Sequence, residues 1–292
     1  MSTDNGISAA AGREAGPVEA DLATIADAFV HARLRGEALA AFPGRIPGDL
    51  EAAYRVQDLA IAQWPDRVVG WKVGYIAAAR RDASGDDRLL GPIFARGLQH
   101  AGAGDLGLEV FTGGFGAVEA EYVLRLQADA PTDKLDWTAA EAAAIPAALY
   151  FGVEVASSPL ATINELGPMV VVSDFGNNNG LVVGAEIAGW QAIPEETFAC
   201  ETFIDDVSAG RVGATSLPGG LRAAFAFALS RSARRGRPLK SGDWIATGNA
   251  TGIHDIVAGQ RARVAFAGYG AVEVLARPAR PVVAPDDGGD AR

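Results

Sequence analysis

The 292-residue chain has almost no cysteine and very little histidine. It contains one cysteine, Cys200, and three histidines, His31, His100 and His254. A single cysteine excludes an intrachain disulfide and a cysteine-rich metal site, and the histidines share no metal-ligand spacing. Cys200 is expected to be a small packed residue. The sequence therefore favours oxygen ligands for any metal centre.

The chain also lacks an excess of basic residues and a long hydrophobic run. It has 36 acidic and 25 basic residues, a formal net charge of -11, so no attraction to nucleic acid or anionic lipid is expected. No apolar stretch approaches the ~20 residues that span a bilayer. The N-terminal segment carries Asp4, Glu14 and Glu19 rather than the basic and apolar regions of a secretion signal. We expect a cytoplasmic protein with a small-molecule partner and neither nucleic acid nor membrane.

Hydrophobic residues make up 49% of the chain and charged residues 21%, as in a globular protein. Residues 1–17 and 278–292 lack periodicity and are predicted to be mobile tails. Residues 18–66 are predicted to be helical, from Glu19 to Leu39 and from Pro47 to Trp64, because apolar residues recur there at helical spacing. Residues 67–277 are predicted to form the catalytic domain.

Short apolar runs interrupted by glycine dominate this second region and predict strands. The runs are Arg67–Tyr75, Gly91–Phe94, Val118–Leu126, Ala148–Ala156, Met169–Ser173, Leu181–Val183, Thr202–Ile204, Trp244–Ala246, Arg263–Phe266 and Ala271–Leu275. Helices are expected at Thr138–Ala144, with a capping box from Thr138 and Glu141, and at Leu221–Arg234. Strands and helices do not alternate regularly, so the fold class is α+β with a mainly β core.

Two charged residues lie in runs that otherwise read as buried strand. Lys72 lies within Val-Val-Gly-Trp-Lys-Val-Gly, and Glu154 within Gly-Val-Glu-Val-Ala. A buried charge needs a partner charge, a metal or a reaction to serve, because burying it alone costs several kcal/mol. A structural ion pair with Lys72 is the alternative for Glu154, and a snorkelling surface lysine is the alternative for Lys72.

Glu119 and Glu121 alternate with apolar residues and therefore point to one face of their strand, roughly 6–7 Å apart by the pleat repeat. A solvated strand face is the common alternative. With Glu154, however, these carboxylates suit Mg²⁺ or Mn²⁺, which prefer oxygen ligands. Lys72 beside such a cation could hydrogen-bond a developing enolate or move a proton, with its pKa lowered by burial and by the metal charge.

Two polar segments follow apolar runs. Asp174-Phe175-Gly176-Asn177-Asn178-Asn179-Gly180 is typical of a tight loop, and a plain turn is the alternative. The segment after Trp244–Ala246 places Thr247 and glycine amides where they could hold a carboxylate. The chain has no phosphate-binding loop and no Gly-x-Ser-x-Gly motif.

These segments, in this order and spacing, resemble the fumarylacetoacetate hydrolase superfamily, and within it the 2-oxopent-4-enoate hydratases. The resemblance extends from about Ala20 to Leu275 and depends on several motifs together. They are Ala52-Ala53-Tyr54-Arg55-Val56-Gln57, Val68-Val69-Gly70-Trp71-Lys72-Val73-Gly74, Gly91-Pro92-Ile93-Phe94, Val118-Glu119-Ala120-Glu121, Val153-Glu154-Val155, Ser173-Asp174 and Ser241-Gly242-Asp243-Trp244-Ile245-Ala246-Thr247-Gly248.

The resemblance implies a mixed β-roll, a homodimer or larger homo-oligomer, and a Mg²⁺ or Mn²⁺ ion. The implied site residues are Glu119, Glu121 and Glu154 on the metal, Lys72 in catalysis, and Asp174, Thr247, Gly248 and Gln57 at the substrate. In such hydratases the metal holds the 2-oxo and carboxylate oxygens of a short dienoate and stabilises enolate charge while water adds to the alkene.

The chain departs from the hydratase pattern at three places. Leu89 and Leu90 stand near the position where hydratases usually have an acidic residue, the usual Asp-Asn pair is Asp174-Phe175, and the loop that follows carries an unusual Asn177-Asn178-Asn179. Hydration of a 2-hydroxy-2,4-dienoate or 2-oxo-alkenoate is the first hypothesis. Decarboxylation of a 4-oxalocrotonate-type or oxaloacetate-type 2-oxo acid, and hydrolysis of an acylpyruvate, are alternatives on the same metal site. Hydrolases of this superfamily use a histidine and glutamate pair on an N-terminal lid. Hydrolysis is disfavoured here because His31 is followed by Glu37 and not by a closely spaced glutamate. A ligand-binding relative without activity is a further alternative.

Overall fold

The computed structural model describes residues 17–102 and 106–282. Helix α1 (Pro17–Arg35) and helix α2 (Leu50–Gln63) open the described chain. Helix α1 ends at Arg35 rather than at the expected Leu39, because Gly36 adopts a left-handed φ of 66°. The Asp49 side chain caps α2 by accepting a hydrogen bond from the Ala52 amide. Both predicted N-terminal helices are therefore present.

The strands form two sheets. They are β1 (Val68–Tyr75), β2 (Arg88–Phe94), β3 (Leu98–His100), β4 (Gly107–Val110), β5 (Phe115–Leu126), β6 (Ala147–Ser158), β7 (Asn178–Glu186), β8 (Ala199–Ile204), β9 (Val207–Gly213), β10 (Trp244–Ala246), β11 (His254–Asp255), β12 (Arg261–Phe266) and β13 (Gly270–Pro278). The eight-stranded sheet has the order β2-β1-β10-β5-β6-β7-β3, with β11 also paired to β5, and the five-stranded sheet has the order β4-β13-β12-β8-β9. Parallel pairs such as β1 with β10 occur beside antiparallel ones, so the sheets are mixed.

Two apolar clusters cover the two faces of β5. On one face Tyr122 packs against Phe198 and Phe266, and the buried Cys200 joins the same cluster, as expected for a packed thiol. On the other face Val123 clusters with residues of β1, β2, β7 and β10, all strands of the same eight-stranded sheet. That sheet therefore curls around its own inner face, and residues of β5 are buried on both sides.

The remaining helices are short apart from one. They are α3 (Ala139–Ala142), α4 (Ile163–Leu166), α5 (Pro168–Ser173) and α6 (Gly220–Arg234). Thr138 and Glu141 form the predicted capping box of α3. No helix within the described ranges is long and apolar enough to cross a membrane.

The strand prediction for Met169–Ser173 is wrong, because this run is helix α5. Gly167 with φ 105° and Pro168 at the first helical position start a helix there. Val170 and Val172 are buried, so the run has the apolar composition of a strand. A short apolar run does not by itself distinguish a buried strand from a buried helix.

The C-terminal boundary also differs from the expectation at Pro278. The Ala279 amide donates to the Val110 carbonyl at 2.8 Å, and the Val282 amide donates to the Leu34 carbonyl at 2.8 Å. Residues 278–282 are therefore attached to strand β4 and helix α1. The rest of the predicted C-terminal tail, and residues 1–16 of the predicted N-terminal tail, lie outside the described residues.

Candidate active site

Glu119, Glu121 and Glu154 come together on the inner face of the curled sheet. Strands β5 and β6 pair antiparallel in a register that sets Glu119 directly opposite Glu154. One oxygen of each carboxylate lies within 4.8 Å of the others. The exposed fractions are 2%, 0% and 1%, so the alternative of a solvated strand face is wrong. The strand alternation correctly predicts that Glu119 and Glu121 share one face of β5. The curl of the sheet buries that face.

Each carboxylate keeps one oxygen for which no hydrogen-bond partner exists among the described residues. These oxygens are Glu119 Oε1, Glu121 Oε1 and Glu154 Oε2. The opposite oxygens are held: the Gly248 amide donates to Glu121 Oε2 at 2.8 Å, and Asn178 Nδ2 donates to Glu154 Oε1 at 3.1 Å. Three buried carboxylate oxygens without partners, on glutamates whose carboxylates lie this close together, are costly unless a cation binds them. The donor set fits Mg²⁺ or Mn²⁺.

The electrostatics of the cluster also favour a cation. Burial raises the pKa of Glu119 to about 7, with Lys72 opposing the shift and Glu154 adding to it. Burial, followed by Glu154 and Glu119, raises the pKa of Glu121 well above its usual value. Like charges directly opposite on paired strands repel. A divalent cation would relieve that repulsion and favour the ionised carboxylates.

Lys72 lies beside this cluster on β1 and is 4% exposed, so it is not a snorkelling lysine. Its Nζ lies 3.2 Å from Glu154 Oε1 and donates to Asn177 Oδ1 at 2.9 Å. The ion-pair alternative for Glu154 is therefore realised together with the carboxylate cluster. Burial lowers the pKa of Lys72, but Glu154, Glu119 and Glu121 raise it, and the net shift is upward. This direction applies to the protein without a cation, and the lowering expected beside a bound metal ion stays a prediction.

A turn between α5 and β7 carries two asparagines into the site. Phe175, Gly176 and Asn177 all have positive φ, at 53°, 65° and 55°, a costly conformation for residues other than glycine. Gly91 permits the close packing of this turn on β2, because a Cβ there would lie 2.2 Å from the Phe175 carbonyl oxygen. The predicted loop is a turn over Phe175–Asn177, whereas Asn178 to Gly180 already belong to β7. The turn places Asn177 against Lys72 and Asn178 against Glu154.

Asp174, predicted to contact substrate, is paired inside the protein, and its contact with a substrate stays a prediction. Arg33 Nε of helix α1 lies 2.5 Å from Asp174 Oδ1, and the Arg33 guanidinium also donates to the backbone carbonyls of Ser157 at 3.0 Å and Asn178 at 3.2 Å. Both side chains are buried, and Asp174 does not line the neighbouring cavity. The structure therefore makes Asp174 an anchor for the turn that carries Asn177 and Asn178.

The other predicted substrate residues form hydrogen bonds that hold the strands and side chains around the site. Thr247 Oγ1 donates to the Tyr122 carbonyl at 2.7 Å, and the Gly248 amide holds Glu121. Gln57 Nε2 donates to the Leu90 and Val172 carbonyls, both at 2.9 Å, and joins β2 to α5. None of Thr247, Gly248 and Gln57 lines the cavity. Direct contact between these residues and a substrate stays a prediction.

A cavity of about 210 Å³ opens next to the cluster. Lys72 and Glu119 lie on its wall, with Asn177, Asn249 and Arg80 as further polar groups and Leu89 among the apolar ones. The remaining lining residues are Gly74, Tyr75, Ile76, Ala77, Asn164, Gly167, Pro168, Val171 and Ile253. The cavity therefore joins a candidate metal centre, an ammonium group and space for a small substrate.

Four residues of the site were given no role from the sequence: Arg80, Asn177, Asn178 and Asn249. The run of three asparagines after Asp174 was an available signal, since asparagine tolerates positive φ and supplies amide donors and acceptors. The side chain of Asn249 lowers the pKa of Glu119, against the effect of burial, and Asn249 directly follows the Thr247-Gly248 motif. No local pattern indicates Arg80, which reaches the cavity from the turn after β1.

Comparison with solved structures identifies the fold. The 4-oxalocrotonate decarboxylase from Pseudomonas putida G7, complexed with magnesium and adipate, matches with a TM-score of 0.74 at 18% identity over 88% of this chain and 98% of the decarboxylase. The same enzyme complexed with calcium and acetate matches with a TM-score of 0.71, at the same identity and coverage. Fumarylpyruvate hydrolase from Pseudomonas aeruginosa, in complex with Mn²⁺ and pyruvate, matches with a TM-score of 0.51 at 17% identity over 73% of this chain and 90% of the hydrolase.

At these identities the likeness establishes the fold, and the predicted mixed β-roll of the fumarylacetoacetate hydrolase type is confirmed. No family model matches the sequence, and no curated protein matches it either. The chemistry must therefore be argued from the residues of this chain.

Proposed function

We propose that this protein is a metal-dependent lyase of the fumarylacetoacetate hydrolase superfamily that acts on a short 2-oxo acid or its 2-hydroxydienoate form. The observation that carries the proposal is the set of three buried carboxylate oxygens without hydrogen-bond partners among the described residues, of which Glu119 lines one cavity together with Lys72. Glu119, Glu121 and Glu154 would hold Mg²⁺ or Mn²⁺. A bound divalent ion supplies Lewis-acid stabilisation of negative charge on the oxygens of the substrate.

Lys72 is the residue we assign to proton transfer. It is charged, buried and held between Glu154 and Asn177, and it lies on the cavity wall. From this position its ammonium group can donate a hydrogen bond to a developing enolate or deliver a proton to carbon or oxygen. The amide of Asn177 limits the directions in which the ammonium group can point.

Leu89 favours decarboxylation over the hydration expected from the resemblance. Addition of water to an alkene needs a group that activates or delivers the water, and Leu89 lines the cavity near the place where hydratases usually have an acidic residue. Among the described residues of the cavity wall, Glu119 is the one carboxylate, and it is assigned to the metal. In decarboxylation the carbon–carbon bond to the departing CO₂ breaks, its electron pair enters the conjugated enolate, and one proton is taken up. The ammonium group of Lys72 can supply that proton.

Hydration is the second candidate. The amides of Asn177 and Asn249 line the same cavity as Lys72 and could hold a water molecule by hydrogen bonds. An asparagine cannot remove a proton from that water, so Lys72 would have to serve both proton steps. Cytoplasmic location and assembly into a homo-oligomer remain proposals that accompany either reaction.

A screen of short 2-oxo acids with added Mn²⁺ tests the proposal and separates the two reactions. Decarboxylation releases CO₂, whereas hydration consumes the dienol absorbance without releasing CO₂. Glu119→Gln should abolish Mn²⁺-dependent turnover, while Glu273→Gln, at an exposed glutamate of β13, should leave it unchanged. Full activity in EDTA would contradict the metal-enolate scheme. Substrate binding without turnover would instead favour a silent relative.

A further inference from the structure

Asn164 is a polar residue of the cavity wall to which the proposed reaction assigns no part. It belongs to helix α4 and lines the same cavity as Lys72 and Asn177. Asn177 Nδ2 donates a hydrogen bond to Asn164 Oδ1 at 3.3 Å. Asn164 therefore contacts the residue that holds the ammonium group of Lys72.

The donors and acceptors of this contact fix the orientation of the Asn177 amide. An ammonium group only donates hydrogen bonds, so the amide must present its oxygen to Lys72, and Lys72 Nζ donates to Asn177 Oδ1 at 2.9 Å. The amide nitrogen then faces away from Lys72. It needs an acceptor there, because Asn177 is only 2% exposed and a buried donor without a partner is costly. Asn164 Oδ1 is that acceptor. Reversing the Asn177 amide would set donor against donor at Lys72 and acceptor against acceptor at Asn164.

Asn164 is itself held by contacts that do not involve Asn177. Arg80 Nη1 donates to the Asn164 backbone carbonyl at 2.6 Å. The preceding residue, Ile163, is fully buried in the apolar cluster beneath α4. The helix therefore presents the Asn164 side chain from a fixed backbone. Hydrogen bonds extend without a break from Arg80 through Asn164 and Asn177 to Lys72, and all four residues line the cavity.

We propose that Asn164 is a positioning residue for Lys72 and acts through the amide of Asn177. By accepting the hydrogen bond from Asn177 Nδ2, Asn164 keeps the Asn177 oxygen on the ammonium group. The remaining N–H bonds of Lys72 are thereby aimed in fixed directions, and proton transfer depends steeply on such alignment. The effect on turnover rests on the proposed function, in which Lys72 transfers the proton. The placement of the ammonium group can be measured without substrate.

Nuclear magnetic resonance of the lysine side chains tests this placement in the metal-free protein. The chain contains three lysines, Lys72, Lys134 and Lys240, so labelling lysine Nζ with ¹⁵N gives three ammonium signals. The side chains of Lys134 and Lys240 are far more exposed than that of Lys72, so the most slowly exchanging signal belongs to Lys72. Asn164→Ala keeps the backbone carbonyl that Arg80 binds, and it should speed exchange of the Lys72 ammonium protons with water several-fold. Asn164→Asp should keep the slow exchange, because its carboxylate accepts the same hydrogen bond.

Steady-state kinetics of the Mn²⁺-loaded variants tests the consequence for turnover. Asn164→Ala should lower kcat about tenfold, as for the loss of one hydrogen bond, and leave KM unchanged. Asn164→Asp should restore most of kcat. In an Asn177→Gly background, Asn164→Ala should lower kcat no further, because both residues act on Lys72 through the same amide. Glu165→Ala is the matched control, at the next position of α4 and exposed outside the cavity, and it should behave as the wild-type protein.

Three results would overturn the positioning role. They are unchanged ammonium exchange in Asn164→Ala, a kcat in Asn164→Asp as low as in Asn164→Ala, and additive losses in the double variant. The second result would make the Asn164 amide nitrogen a direct hydrogen-bond donor to the substrate, since aspartate lacks that donor. A wild-type protein without turnover on any 2-oxo acid would contradict the proposed function, and the exchange measurement would still decide whether Asn164 places the ammonium group.

Discussion

At the scale of single residues, the ammonium group of Lys72 and any divalent cation would share the carboxylate of Glu154. Its Nζ lies 3.2 Å from Glu154 Oε1, and that carboxylate also contributes to the metal cluster. The ammonium group and the cation are therefore coupled through one shared carboxylate. The same closeness lets Lys72 act on a substrate held at the metal.

Lys72→Ala should reduce turnover strongly while Mn²⁺ still binds, because the lysine is assigned to proton transfer and the glutamates to ligation. A loss of about 100-fold or more is expected for removal of a positioned acid–base group. Steady-state kinetics would measure the loss, and Mn²⁺ electron paramagnetic resonance would report metal binding. Lys240→Ala, at an exposed lysine, is the control. Unchanged turnover in Lys72→Ala would remove this lysine from the mechanism.

The titration of Glu119 makes a prediction for the metal-free protein. Its pKa is raised from 4.5 to about 7 in the folded chain, chiefly by burial, so between these values the folded state binds more protons than the unfolded state. Stability is then greatest below the unfolded pKa and decreases as the pH rises toward about 7. Thermal unfolding of the EDTA-treated protein across this range should show the decrease.

Two comparisons check the origin of that pH dependence. Glu119→Gln removes one titrating carboxylate and should flatten the profile of the metal-free protein. Saturating Mn²⁺ should raise the unfolding temperature most at high pH, because the metal binds the deprotonated glutamates. A metal-free profile that rises with pH through this window would contradict the assignment of a raised pKa to Glu119.

At the scale of an element, the turn between α5 and β7 connects helix α1 to Lys72 and to the carboxylate cluster. Arg33 holds the turn through Asp174 and the Asn178 carbonyl, and it stacks over the Phe175 ring at 5.2 Å. The positive φ angles of the turn persist because these contacts determine its conformation. The orientation of Asn177 and Asn178 therefore depends on a residue of the N-terminal helix.

The two neighbouring asparagines should have separable effects. Asn178→Ala leaves Glu154 without its amide donor and should weaken Mn²⁺ affinity by about 10-fold, as for other residues that orient metal ligands. Asn177→Gly removes the partner of Lys72 without adding strain at φ 55°, and it should lower kcat while Mn²⁺ affinity stays the same. Calorimetric titration of Mn²⁺ and steady-state kinetics would distinguish the two. Equal effects of both variants on metal affinity would show that the turn acts only as a structural unit.

At the scale of the whole molecule, the curl of the eight-stranded sheet creates the environment in which the carboxylates have shifted pKa values. Its inner face is closed by residues of β1, β2, β5, β7 and β10, and the five-stranded sheet covers the opposite face of β5. A flat, one-sided sheet would leave Glu119 and Glu121 in water, where two like charges on a strand are tolerated. Burial makes the same residues a candidate cation site.

Saturating Mg²⁺ or Mn²⁺ should therefore stabilise the entire fold, because the glutamates that would hold the ion lie on β5 and β6, at the centre of the larger sheet. Binding to the folded state alone adds about 2.7 kcal/mol when the free ion is at 100 times its dissociation constant. The expected observation is an unfolding temperature that rises with ion concentration and falls after EDTA. Glu121→Gln should reduce the rise. An ion-independent unfolding temperature would argue against a metal centre at these glutamates.

Local patterns in the sequence determined much of the protein. Alternation placed Glu119 and Glu121 on one face of β5, apolar neighbours marked Lys72 and Glu154 as buried, and Thr138 with Glu141 predicted the cap of α3. The sequence alone predicts these features because strand alternation, burial of apolar neighbours and helix capping each depend on residues within a few positions of one another.

Only the tertiary structure decided which residues support the site and which face the cavity. Asp174 pairs with Arg33 across 141 positions of sequence, Arg80 reaches the cavity from a turn without any motif, and Met169–Ser173 is helical despite its strand-like composition. The curl of the sheet, the register that sets Glu119 opposite Glu154, and the packing of the turn after α5 on β2 all bring together residues far apart in the chain. Local composition does not predict such contacts, because they form only when the whole core packs together.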